Sequence, residues 1–200
     1  MKYTMMMAVV SKALDGMIKG EIPDKKVRKA IRQEYREILE RASDIGSSNK
    51  LLSSYLLAAY FIGMNRSTNL SPEDNIRILE GGMRKSRALK LFMGDSKSYF
   101  SPKAMESRKT WSALTHDENH RKQYPNDWVV DFLPGEGKYA FGFDYLECGV
   151  CKLCRDEGCP ELAKYLCRLD YMLVEIMGLH LDRTQVLAEG KEKCDFRFWK

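Results

Sequence analysis

A chain of 200 residues, 44% hydrophobic and 30% charged, with a net charge of +5, is long enough for a real core and ordinary in composition for a globular protein. The positive charge is dispersed: Lys25-Lys26, Arg28-Lys29 and Arg84-Lys85 with Arg87 each edge a helical pattern. No basic stripe interleaves with aromatics, so no nucleic-acid partner is expected. The apolar stretches 5–10 and 51–63 are too short to span a bilayer, and the first lacks a small-residue cleavage site. No membrane partner and a cytoplasmic location are therefore expected.

From Lys2 to about His120 the pattern is helical nearly throughout. Val27, Ala30, Ile31, Ile38 and Ala42 recur on one face among arginines, lysines and glutamates. Pro23 opens this amphipathic helix in its first turn and Gly46 closes it. Residues 51–64 are apolar on most sides and form the central helix of a bundle, with Tyr55, Tyr60, Phe61 and Met64 in the core. Ser71-Pro72-Glu73-Asp74 is a start signal: a capping serine, proline at the first position and acids in the first turn. That helix runs towards Met93, and Pro102 starts another through Trp111 to about His120.

At about Asn126 the period changes. Residues 128–132 form a strand, 134–137 a turn, and 138–145 a second strand with Tyr139, Phe141, Phe143 and Tyr145 on one face. Pro160 starts a helix striped by Leu162, Leu166, Leu169, Leu173 and Ile176, and Gly178 ends it. Residues 182–188 and 194–199 are two more strands. The expected fold is α+β: an N-terminal helical bundle packed on a four-stranded antiparallel sheet, ordered strand-strand-helix-strand-strand. One domain is expected over 1–200, helical over 1–125, with sheet, helix and site over 126–200.

All six cysteines lie from Cys148 onward, four of them spaced as Cys148-x2-Cys151-x2-Cys154-x4-Cys159, followed by Cys167 and Cys194. In a reducing compartment these are ligands or reactive groups rather than disulfides. An iron–sulfur run would want a gap of three rather than four before Cys159, and a second run. A structural zinc usually shows two separated CxxC pairs. A reactive thiol is the third reading, and His116, His120 or His180 could pair with it only through folding. On the helix, Cys167 and Asp170 are neighbours, and Asp170 borders the apolar stripe. It is a general base, a metal ligand, or one half of a salt bridge to Arg183 or Arg197. On the last strand Cys194, Phe196 and Phe198 share one face, with Asp195, Arg197 and Trp199 on the other. Arg183 and Arg197, on adjacent strands, would hold a carboxylate, or Asp195 pairs with an arginine structurally.

Several ordered segments carry a resemblance. They are Tyr145-Leu146-Glu147-Cys148-Gly149-Val150-Cys151-Lys152-Leu153, Glu161-Leu162, and Leu166-Cys167-x-x-Asp170. Gly178-Leu179-x-Leu181-x-Arg183-Thr184, Leu187-Ala188-x-Gly190 and Cys194-Asp195-Phe196-Arg197-Phe198 complete the set. Together they resemble the L-2-amino-thiazoline-4-carboxylic acid hydrolase family, and the helical part, with Glu34-Tyr35 and residues 49–65, is similar in layout. The resemblance implies a hydrolase opening a small carboxylated cyclic amidine to an N-carbamoyl product, in the class acting on non-peptide C–N bonds. Catalysis would fall to Cys148, Cys151, Cys167 and Asp170, and substrate binding to Arg183, Arg197, Asp195 and Glu147. The cofactor would be none, or a cysteine-bound zinc on Cys148, Cys151, Cys167 and Cys194. The partner would be a small carboxylated substrate, with a homodimer through the apolar patch at 5–10. Two other readings stand beside this one. The layout also resembles the small-molecule-binding domains named after 4-vinyl reductase, which are sensors rather than enzymes. A cysteine-ligated metal or redox protein is the other.

Overall fold

The computed structural model describes residues 4–93 and 96–200, so the expected helical start at Lys2 lies outside the described residues. The fold is α+β, with helices and one four-stranded antiparallel sheet. No helix among the described residues is long and apolar enough to cross a membrane. Contacts group the chain into two compact units, one of residues 1–86 with 150–166 and one of residues 87–149 with 167–200.

The first unit holds α1 (Thr4–Ile18), α2 (Lys25–Arg41), α3 (Leu52–Ser67) and α4 (Pro72–Lys85). α3 is the centre, as its all-round apolar sequence requires: Tyr55, Leu56, Tyr60, Phe61, Ile62 and Met64 are fully buried. α2 shows Ile31, Tyr35 and Ile38 to the core. Its boundaries differ from the expected ones. Asp24, not Pro23, caps it by accepting from the Lys26 amide, and the helix ends at Arg41, well before Gly46. α4 begins as the sequence dictates, with Ser71 accepting from the Asp74 amide ahead of Pro72, but it stops at Lys85. The expected run to Met93 continues only as a separate short helix, α5 (Arg87–Met93), in the second unit. On α1, Met5 and Val9 are exposed.

The second unit continues with α6 (Ser96–Tyr99), α7 (Pro102–His116), α8 (Glu118–Gln123), β1 (Val129–Glu136) and β2 (Tyr139–Glu147). The helix expected to reach His120 breaks at Asp117, whose carboxylate caps α8 through the His120 amide. β1 runs through Pro134, so the expected turn tightens to Gly137 and Lys138, with Gly137 at φ 58. The cysteine run forms a helix, α9 (Gly149–Asp156). The helix expected from Pro160 opens as a 3-10 turn, Pro160–Leu162, and becomes α10 (Ala163–Ile176). Both α9 and α10 contribute to both units. β3 (His180–Asp182) and β4 (Cys194–Trp199) complete the sheet in the order β1-β2-β4-β3.

The third strand is therefore much shorter than 182–188, and Leu187–Glu189 is a 3-10 turn. Its cause is visible. The Asp195 carboxylate accepts from the Thr184 and Gln185 amides at 2.8 and 2.6 Å, which bends the chain away from the ladder after Asp182. α7 is fixed to β1 by hydroxyls: Ser112 Oγ donates to the Val130 carbonyl and accepts from the Phe132 amide, while Thr115 Oγ1 accepts from the Val130 amide.

Two glycines test the packing. A Cβ at Gly149 would lie 2.7 Å from the Asn126 carbonyl oxygen and 2.8 Å from the Trp128 ring, whereas one at Gly81, within α4, meets nothing within 4 Å. Gly149→Ala should destabilise by about 1–3 kcal/mol. Gly81→Ala should stabilise by about 0.5–1 kcal/mol. Urea midpoints of the two variants check both signs.

Candidate active site

In-register pairing sets Phe141, Phe143 and Tyr145 of β2 beside Phe198, Phe196 and Cys194 of β4 on one face of the sheet. Phe141 stacks on Phe198 at 4.8 Å between centroids, and Tyr145 meets Phe196 edge-on at 5.0 Å. Trp111 of α7 packs edge-on against Phe143 at 5.7 Å. The guanidinium of Arg183 lies 5.0 Å from the Phe196 ring centre and 4.9 Å from that of Tyr171 on α10.

Arg183 is committed to α10. Its Nη1 donates to Asp170 Oδ2 at 2.7 Å, its Nη2 to the Cys167 carbonyl at 2.9 Å, and its Nε is buried without a hydrogen-bond partner among the described residues. The Arg183 side chain is 4% exposed and that of Asp170 35%, so the carboxylate keeps contact with water. Asp170 Oδ1 accepts no hydrogen bond among the described residues. Burial of the remainder raises the Asp170 carboxyl to about 6, against the charge and hydrogen bond of Arg183, which lower it.

The thiols around this pair are held in the protonated form. Burial, and after it the charge of Asp170, pushes Cys167 far above the usual thiol range. Burial raises Cys194 to about 11, although its sulfur accepts from the Leu187 amide at 3.1 Å. Cys148 lies close enough for its charge to act on Cys167, Cys194 and Tyr145. It directly precedes Gly149, whose tight seat against Trp128 fixes where the strand ends. Cys148, Cys167, Asp170, Arg183 and Cys194 thus form one cluster in the second unit.

The other expected site residues lie elsewhere. Glu147 pairs with Arg121 at 2.6 Å. Arg197 sits on the opposite face of the sheet, where its Nη2 pairs with Asp144 at 2.8 Å and Lys193 joins them. Asp195 is engaged by Thr184 and Gln185 and pairs with no arginine among the described residues. Arg183 and Arg197 therefore do not converge on one ligand. Arg183 stands beyond the end of β3, so no strand face brings the two arginines together.

Cys151 belongs to the first unit with Cys154 and Cys159. All six cysteines are thiols. A hydrogen bond with Cys154 lowers Cys159 below its usual value, with burial opposing. Among the described residues no three His, Cys, Asp or Glu side chains gather as a metal-ligand set. His116 pairs with Asp131, His120 with Asp127, and His180 stacks on Trp199, so no cysteine–histidine pair forms among the described residues.

Two residues of this face escape a reading by motif. Tyr145 reads as one more member of an alternating aromatic strand. Arg108 belongs to no motif. Its signal is its spacing, since it precedes the buried Trp111 and Thr115 by three and seven positions and so shares their side of α7.

Two outcomes follow from these geometries. Arg183→Gln should cost about 1–3 kcal/mol in urea denaturation, because the Asp170 carboxylate then lacks its charged partner. In alkylation at about pH 8 with peptide mapping, Cys159 should react before Cys167 and Cys194, because the thiolate is the nucleophile. Fast labelling of Cys167 would contradict its burial.

The family model described as L-2-amino-thiazoline-4-carboxylic acid hydrolase matches residues 2–198. No curated protein and no solved structure matches the chain. With nearly every residue inside that match, the chain belongs to the L-2-amino-thiazoline-4-carboxylic acid hydrolase family.

Proposed function

We propose that the protein is a hydrolase that opens a small cyclic amidine carrying a carboxylate, of the 2-aminothiazoline-4-carboxylate kind, to an N-carbamoyl product. The observation that carries this reading is Asp170. One carboxylate oxygen is held by Arg183, and the other accepts no hydrogen bond among the described residues. With a pKa of about 6, the group is mostly ionised at neutral pH yet basic enough to take a proton from water.

The chemistry balances without a cofactor. Water oxygen bonds to the amidine carbon as Asp170 accepts its proton. Asp170 returns that proton to the ring nitrogen, the ring carbon–sulfur bond breaks as the new hydroxyl becomes the carbonyl, and the hydroxyl proton leaves with the sulfur. An N-carbamoyl product keeps both nitrogens on the former amidine carbon, so the ring bond broken is carbon–sulfur rather than carbon–nitrogen. Thiolate attack by Cys167 is disfavoured because burial and Asp170 keep that thiol protonated. Of the thiols in the cluster, Cys148 is the remaining candidate for covalent attack.

The aromatic face of β2 and β4 supports a second reading, a module that binds a small ring without turning it over. The test separates them. Incubation with 2-aminothiazoline-4-carboxylate should release one thiol per ring opened, read by a thiol reagent. Asp170→Asn should reduce the rate by about 10²–10⁴-fold while leaving the fold intact. Binding without thiol release would leave the module.

The pH profile has a defined sign. The base acts only when ionised, so kcat/KM should rise with pH through about 6 and level off above it. Arg183→Gln removes the charge that lowers the Asp170 carboxyl, so its rising limb should move to higher pH. An unmoved limb would mean another group is the base.

A further inference from the structure

Cys154 and Cys159 belong to the first unit, apart from the Asp170 cluster of the second. The way α9 ends brings them together. The Gly158 amide, in a residue at φ 70, donates to the Arg155 carbonyl at 3.0 Å, and the Cys159 amide donates to the Cys154 carbonyl at 2.9 Å. These two bonds define a Schellman motif, whose residue two beyond the helix turns its side chain back onto one in the last turn. Those two positions usually hold apolar side chains in contact. Here both hold cysteines.

The motif supplies the geometry that a disulfide needs. With the backbone bond at 2.9 Å, standard bond lengths keep the two Cα atoms within about 7 Å, the limit for a bridge. The thiols already share a hydrogen bond. Cys154 is fully buried, whereas Cys159 is half-buried between exposed Gly158 and Pro160. A small reagent in water therefore meets Cys159 first.

Side chains of two other helices hold this turn in place. Arg66 of α3 donates from Nη1 to the Glu157 carboxylate and from Nη2 to the Glu157 carbonyl, both at 2.8 Å. Arg41 of α2 donates from Nε to the same carboxylate at 2.9 Å. The hydrogen bond with Cys154 favours a Cys159 thiolate, and so does the charge of Arg66. Burial, Glu161 and Glu157 oppose it, and the balance leaves the thiol below its usual range.

We propose that Cys159 and Cys154 form a peroxide-reactive dithiol, with Cys159 as the nucleophile and Cys154 as the thiol that resolves it to a disulfide. The Cys159 sulfur attacks one peroxide oxygen: a sulfur–oxygen bond forms, the oxygen–oxygen bond breaks, and the departing hydroxide takes up the thiol proton as water. The Cys154 sulfur then bonds to the Cys159 sulfur. The sulfur–oxygen bond breaks, and hydroxide leaves with the Cys154 proton as a second water. Two thiols are oxidised and one peroxide is reduced. This chemistry uses no residue of the Asp170 cluster and stands whatever that cluster does.

The test is titration of the reduced full chain with hydrogen peroxide, followed by alkylation, tryptic digestion and mapping. Cleavage after Lys138, Lys152, Arg155 and Lys164 puts Cys154 in 153–155 and Cys159 in 156–164, apart from Cys148 and Cys151 in 139–152. Peroxide should join 153–155 to 156–164 in preference to any other pair, with two thiols lost per peroxide consumed. Cys154→Ala should stop at a Cys159 sulfenic acid, which a cyclic 1,3-dione traps. Cys159→Ser should slow peroxide consumption by about tenfold or more. Circular dichroism establishes that each variant is folded, and the map of the unaltered chain decides the matter even where a variant is not. A first disulfide elsewhere, a bond between two chains, or no disulfide at all overturns the proposal. A folded Cys154→Ala chain that the dione leaves unlabelled at Cys159 overturns it too.

Discussion

The register between β2 and β4 is the constraint on which the second unit depends. Pairing Tyr145 with Cys194, Phe143 with Phe196 and Phe141 with Phe198 builds one aromatic face from two segments far apart in sequence. It also places Asp144 beside Asp195 on the other face, where Arg197 and Lys193 balance the charge of Asp144. A slip of one residue would exchange the two faces, burying carboxylates among phenylalanines. Gly142 allows the two strands to approach, since a Cβ there would lie 2.7 Å from the Phe196 carbonyl oxygen.

Charge is divided between those faces. On one, acids and bases neutralise each other and shape the loop after β3. On the other, the ion pair of Asp170 with Arg183 stands among rings and thiols. A low-dielectric setting of this kind strengthens the pair and raises the cost of leaving either partner alone. It also explains why the thiols of Cys167 and Cys194 stay protonated. Nearby negative charge and lost hydration both oppose a thiolate.

How far the sequence could be read follows from the range of each signal. Local signals were enough for α3, whose residues are apolar in all directions, for the Ser71-Pro72 start of α4, and for the alternating strands β2 and β4. The Asp170–Arg183 pair was legible as one of two alternatives because Asp170 borders an apolar stripe. What failed was what a distant side chain decides. Asp195 ends β3 through amides ten and eleven positions before it, and no strand propensity reports that. The cysteine run drew the eye as one motif, yet the helix through it gives Cys148 to one unit and Cys151 and Cys154 to the other.

The hydroxyls that fix α7 to β1 have another effect. β1 is an edge of the sheet, and an edge strand offers unpaired amides and carbonyls to any extended chain that drifts past. Here the Val130 amide and carbonyl and the Phe132 amide are already taken by Ser112 and Thr115. The opposite edge, β3, is only three residues long. Neither side gives a growing stack of strands a long template, so the sheet resists aggregation by the same contacts that hold α7 in place.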